Sequence, residues 1–329
     1  MLQAILAILT GFILLAWSAD RFVNGASAIA RHLGISPLIV GLTIVGFGTS
    51  APELVVSAIA AFTDNTSLAI GNAIGSNVAN IGLVLGITAI ISPLLIASSI
   101  LKREYPLMIA AMALVFVVLI DGQLGVLEGI ILFVCLFGVL TWTVSTGIRE
   151  GRNAPGTHDD ALETEFESEL ALDHIMPKAK AIFWLLAGGI LLVVSSRILV
   201  WGATTIATSL GVSDLIIGLT IVANGTSLPE IAASVASVLK GENDIAIGNV
   251  LGSNIFNSLG VIGLAAMIRP TTVSADVLFR DLPVMTGMAI LLYILLYSHK
   301  GEPSLSRKSG FFLLSLYVAY LVILGVQAI

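Results

Sequence analysis

The sequence predicts an all-α integral membrane protein of ten transmembrane helices, arranged as two inverted five-helix repeats in which helices 2 and 7 are broken. Three observations predict it: too few charges for a water-facing surface, apolar stretches of spanning length, and a duplication at a fixed offset. Of 329 residues, 57% are hydrophobic and 11% charged, with mean hydropathy +1.03 and formal net charge −6. Soluble domains carry about 25% charged residues, so this chain belongs in a lipid bilayer. Basic residues gather only in short clusters such as Lys102-Arg103 and Arg307-Lys308, which excludes nucleic acid as a partner. The single cysteine, Cys135, lies in an apolar run, removing disulfides and thiolate metal sites.

A helix crosses the hydrocarbon with roughly 20 apolar residues. In chain order such stretches cover 2–30, 37–62, 68–91, 104–120 and 124–146, then 180–207, 213–239, 244–268, 281–298 and 309–327. The first lacks the basic n-region and small-residue cleavage site of a signal peptide, and a similar segment recurs in mid-chain, so it reads as a retained span. In the second and seventh, Pro52 and Pro229 lack an amide hydrogen and crowd the carbonyls of Gly48 and Gly225, so each helix is expected to break there. In the third and eighth, Gly71 with Gly75 and Gly248 with Gly252 form small-xxx-small surfaces that permit close backbone approach. Eight of the 21 acids fall between Glu150 and Asp173. The segment from Gly147 to Lys178 around them is polar, holds two prolines and lacks the glycine-punctuated spacing of an EF-hand loop, so it reads as a solvated linker. The chain divides into residues 1–146, a first repeat; 147–179, an acidic cytoplasmic linker; and 180–329, a second repeat.

With the N-terminus outside, the inner loops hold eleven of the 15 basic residues and the outer loops only Arg269 and Arg280. The positive-inside bias therefore places both termini outside and the linker in the cytoplasm. Between Gly34 and Gly86, about 25 of 53 positions are identical to Gly211 through Gly263, an ungapped match at an offset of about 177 residues. Five spans per copy turn the second upside down relative to the first. Inverted repeats put a substrate site at their interface near mid-depth, which suits a carrier with entry from both faces.

The first copy reads GFGTSAPELVVS from Gly46 to Ser57, and the second ANGTSLPEIAAS from Ala223 to Ser234. Beside each break stand Thr49, Ser50 and Glu53, then Thr226, Ser227 and Glu230. An ionisable group inside a span costs at least ~2.5 kcal/mol and marks a pathway or a partner. Buried salt bridges are the alternative, yet no cation is duplicated beside the glutamates, since Arg21 aligns with Ile198 and Asp20 with Arg197. The next span of each copy supplies Asn72, Ser76 and Asn80, then Asn249, Ser253 and Asn257, spaced by four along one face. Asn72 and Asn249 also read as interhelical glue, and Asn77 and Asn254 point elsewhere. His32, His158, His174 and His299 fall in loops or at span ends. Oxygen ligands alone favour alkali or alkaline-earth ions. Calcium fits, because its flexible shell of six to eight oxygens accepts carbonyls beside two carboxylates, whereas magnesium demands stricter geometry. Sodium, or protons on the glutamates, would compete for the same oxygens and so couple opposing gradients. An uncoupled cation channel is the reading from a different class. An intramembrane hydrolase lacks a duplicated His or Lys beside its serines.

GTSAPE with GNAIGSN, and GTSLPE with GNVLGSN, resemble the two alpha repeats of the sodium/calcium exchanger family, within the cation/calcium antiporter superfamily. The resemblance covers nearly the whole chain and is similar to a compact prokaryotic member, which implies the inner (plasma) membrane. It implies exchange of calcium for sodium by alternating access, calcium and sodium ions as the partners, and no permanently bound cofactor. By resemblance the site maps to Thr49, Ser50, Glu53, Ser76, Asn80, Thr226, Ser227, Glu230, Ser253 and Asn257, with the carbonyls of Gly46 and Ala223 coordinating sodium. The first long helix of each half would slide across the remaining bundle. Two positions depart from the family pattern: Asn257, where Asp is often found, and Asn224, where an apolar residue is common. The first removes a titratable group and keeps calcium/proton exchange in play.

Overall fold

The computed structural model describes residues 1–33, 35–96, 98–153, 176–211, 223–297 and 303–327. The principal helices are α1 (Leu2–Leu33), α2 (Pro37–Thr49), α3 (Ala51–Phe62), α4 (Thr66–Ile91), α5 (Glu104–Leu119) and α6 (Val126–Asn153). The second half supplies α7 (Lys178–Ser209), α8 (Leu228–Leu239), α9 (Asn243–Ile268), α10 (Val277–Tyr297) and α11 (Arg307–Gln327). Among the described residues seven helices are long and apolar enough to cross a bilayer, and an eighth if α2 and α3, bent by 43° at their junction, form one span. The remaining two, α5 and α8, have 16 and 12 residues. Most of the linker (154–175) and the first half of the expected seventh span (212–222) lie outside the described residues.

Two boundaries lie furthest from expectation, each with a local cause. Helix α6 continues past 146 to Asn153, because nothing in GIREGRN stops a helix before Pro155. Helix α10 starts at Val277, through a π-helical turn over Val277–Asp281. Further π segments interrupt α2 at Gly41–Val45, α4 at Asn80–Val84 and α9 at Phe256–Val261. A π turn has no residue signature comparable to proline, and it is frequent at functional sites.

Helices α1 and α7 pack along their length. Gly11 meets Leu199, Phe22 meets Gly188, Gly25 meets Leu185 and Gly202 meets Ala4; partner numbers fall as α1 advances, so the two run antiparallel. Helix α9 is buried on every side from Ile245 to Ile255, which makes it the centre of the bundle. It touches the backbone of α2 directly: a methyl on Gly252 would stand 2.0 Å from the Leu42 carbonyl oxygen. Gly71 and Gly75 meet no described residue within 4 Å. Large apolar side chains such as Phe12, Phe183, Val134, Ile290 and Val322 face outward, as a lipid-facing rim requires.

Two short antiparallel strand pairs join loops of opposite halves: β1 (Leu94–Leu95) with β4 (Ser304–Leu305), and β2 (Gln123–Leu124) with β3 (Thr271–Thr272). Two ion pairs do the same: Arg31 in the last turn of α1 meets Glu242 before α9 at 3.2 Å, and Arg269 after α9 meets Asp64 before α4 at 2.7 Å.

Candidate cation-binding site

The chain turns out of helix at matched serines: Ser50 has φ −82°, ψ 5° and Ser227 has φ −87°, ψ 3°. Pro52 and Pro229 occupy the first turn of α3 and α8, where a missing amide hydrogen is tolerated. The break therefore precedes each proline, and Glu53 and Glu230 stand in the first turn of the new helix. Each start is held by a backbone bond of 3.1 Å, from the Leu54 amide to the Ser50 carbonyl and from the Ile231 amide to the Ser227 carbonyl.

These two breaks meet. Glu53 is 1% exposed and Glu230 fully buried. Ser50 Oγ donates to Glu230 Oε1 at 3.2 Å, and the hydroxyls of Thr226 and Ser76 lie near Glu53, so each repeat brings a hydroxyl toward the other's carboxylate. The two carboxylates are close enough to act on each other electrostatically. Thr49 Oγ1 donates to Asn249 Oδ1 at 2.9 Å and lies 3.4 Å from Ser253 Oγ, which in turn donates to the Gly46 carbonyl at 3.3 Å. Asn80 Nδ2 donates to Asn254 Oδ1 at 3.2 Å. Ala223 opens the short helical turn Ala223–Gly225 just before Thr226.

Buried polar atoms normally find partners. Among those buried without one here, Glu53 Oε2, Glu230 Oε2, Ser227 Oγ, Asn80 Oδ1 and Asn257 Oδ1 belong to residues the sequence names as ligands. Neither glutamate is ion-paired among the described residues. Arg21 lies over Trp17 and Trp184, at 5.8 and 5.2 Å from the ring centroids. No group of three or more His, Cys, Asp or Glu suited to a metal occurs among the described residues. The donor set is two carboxylates among neutral oxygens, the chemistry of calcium or sodium rather than zinc.

Asn72 and Asn249 do the work of glue, in near-identical geometry. Asn72 Nδ2 donates to the Glu53 carbonyl at 3.3 Å and Ser57 Oγ at 3.0 Å; Asn249 Nδ2 donates to the Glu230 carbonyl at 3.3 Å and Ser234 Oγ at 2.9 Å. Sequence reasoning missed Ser57 and Ser234 as supports, although their recurrence at the repeat offset was the signal. It also missed Met285 and Met108, whose sulfurs receive Asn77 Nδ2 and Asn254 Nδ2 at 3.4 Å. His32 bonds the Met176 carbonyl at 2.9 Å, and the other three histidines lie outside the described residues.

A family model described as "Sodium/calcium exchanger protein" matches residues 3–145 and 180–326. The chain belongs to the sodium/calcium exchanger family. Among relatives of this exchanger, CaxA of Alkalimonas amylolytica is 46% identical over 97% of this chain and 98% of its own. "Sodium/calcium exchanger MaX1" of Methanosarcina acetivorans is 34% identical, over 97% of each chain. A solved structure of "the sodium-calcium exchanger NCX_Mj", soaked with sodium and strontium, superposes with TM-score 0.81 at 30% identity, covering 98% of both chains. The protein is an integral membrane cation/calcium antiporter.

Proposed function

We propose that this exchanger moves calcium against sodium, without a resident cofactor, by alternating access of a ten-helix bundle built from two inverted five-helix repeats. The carrying observation is the meeting of Glu53 and Glu230 at a buried centre, each with one carboxylate oxygen unpartnered. The two acids would bridge calcium and neutralise its charge. The hydroxyls of Thr49, Ser50, Ser76, Thr226, Ser227 and Ser253, the amide oxygens of Asn80 and Asn257, and the carbonyls of Gly46 and Ala223 would complete its shell and hold sodium in its absence. Because the oxygens are shared, one cation leaves before the other loads, which couples the two gradients.

The inverted arrangement is supported by the antiparallel run of α1 and α7. It is also supported by the strand pairs and loop ion pairs, every one of which joins loops that the ten-span reading places on the same side of the membrane. Residues 1–146 and 180–329 would form the repeats, with the 147–179 linker in the cytoplasm, both termini outside, and the prokaryotic inner membrane as the location. Vesicles loaded with sodium and diluted into potassium should take up calcium at constant pH. Uptake driven only by an imposed pH gradient would assign the counter-ion to the proton, and leakage without trans-stimulation would replace exchange by a channel.

A further inference from the structure

The two breaks are not held alike. In the second repeat Tyr317 of α11 donates to Asn224 Oδ1, and Asn224 sits in the Ala223–Gly225 turn directly before Thr226 and Ser227. The Gly225 carbonyl, which loses its helical partner to Pro229, receives Ser196 Oγ of α7 at 2.8 Å. Tyr317 is 4% exposed and reaches a second ligand-bearing segment as well. A methyl on Gly82 would stand 2.6 Å from Tyr317 Cβ, and Gly82 lies in the π turn that Asn80 opens. One side chain thus braces the approach to Thr226 from one repeat and the turn after Asn80 from the other.

Among the described residues the first repeat has none of these ties. At the same offset Phe47 replaces Asn224 and Ala19 replaces Ser196. Helices α6 and α11 correspond through Gly129, packed on Gly263, and Gly310, packed on Gly86, which sets Leu136 opposite Tyr317. Phe47 packs edge-on against Phe256, centroids 4.9 Å apart, and neither it nor Leu136 has a side-chain hydrogen bond to offer. Polar side chains stand at three positions where the matched half is apolar.

We propose that Tyr317, acting through Asn224, is a positioning residue that selects for the monovalent ion, an inference that rests on the calcium/sodium exchange proposed above. A divalent ion draws most of its binding from the two carboxylates, because Coulomb attraction scales with its charge. Sodium depends proportionally more on the placement of neutral hydroxyl and carbonyl oxygens, and those are what the Ala223–Gly225 turn carries into the site. Loosening that turn therefore weakens sodium more than calcium.

The test uses proteoliposomes of the full chain, with wild type, Tyr317→Phe, Asn224→Leu and the double variant, and half-saturating sodium and calcium measured separately. Either single substitution should raise half-saturating sodium about three- to tenfold, the equivalent of one hydrogen bond, and leave half-saturating calcium within about twofold. The double variant should match either single one, since both remove the same bond. Sodium titration of thermal unfolding in detergent should show the same weakening without any transport step, so a variant that reconstitutes poorly still reports. A merely structural role would lower maximal rate with both constants unmoved, or shift both together; that pattern, or additive single effects, overturns the inference. A wild type driven by protons alone overturns both this inference and the exchange reading, whereas sodium-driven wild type with unaltered constants in the variants overturns this one alone.

Discussion

Two carboxylates buried in one bundle repel each other, and each was stripped of water on folding. Ser50 donates a hydrogen bond to Glu230 and the hydroxyls of Thr226 and Ser76 lie near Glu53, but one oxygen of each carboxylate stays unpartnered, and the proposed cation would complete what the fold leaves unfinished. Glu53→Gln and Glu230→Gln should each lower calcium uptake at least about tenfold, because a neutral amide forfeits a charged contact of about 1.5–3 kcal/mol. The folded yield, read by size exclusion, should hold or rise, since a buried charge has been removed. Normal calcium flux in both variants would sink the site. Asn249→Ala removes two bonds that anchor the α8 start, each worth about 0.5–1.5 kcal/mol net, and should reduce thermal stability and uptake together. Spacing by four put Asn72, Ser76 and Asn80 on one face and could not separate support from ligand. That separation depends on which way an amide points once α4 lies against α3, and α9 against α8.

Proline marked where helices break, and the structure adds that the turn comes two residues earlier, at Ser50 and Ser227. A proline tolerated in the first turn is a start signal as much as a stop signal. Pro52→Ala restores an amide hydrogen that the Gly48 carbonyl can accept. It should straighten the 43° bend between α2 and α3, and transport assays should show slower exchange in a protein that is no less stable. The α2–α9 contact is tighter. Gly252→Val would drive its side chain into the Leu42 carbonyl, 2.0 Å from the new Cβ, with a loss of about 3 kcal/mol or more. Gly138→Ala, which meets nothing within 4 Å, is the control and should leave thermal unfolding unchanged. Small-xxx-small patterning flagged Gly248 and Gly252 in advance, while the π turns at Asn80 and Phe256 carried no signal because any sequence of helix formers can accommodate one extra residue.

Across the whole molecule, loops of opposite halves pair with each other, and helices α1 and α7 bind antiparallel. The orientation proposed above is testable at the ends of α5. In a Cys135→Ala background, Asp121→Cys should react with a membrane-impermeant maleimide in intact cells, and Lys102→Cys only after permeabilisation. The reverse pattern would invert the topology, and labelling of both from one side would remove α5 as a span. Charge counts are the basis of this proposed orientation, because lysine and arginine distribution is a property of loops, readable without contacts.

By itself the sequence determined the bilayer, the duplication, the family and the two isolated acids, because hydropathy, repetition and the expense of burying a charge are all written along the chain. Only the tertiary structure decided that those acids meet, that Asn72 and Asn249 brace rather than face them, and that Tyr317 ties down one break and not the other. Those facts join residues as far as 180 positions apart. They depend on the direction of a lone pair or an amide, which helix packing sets and no local pattern encodes.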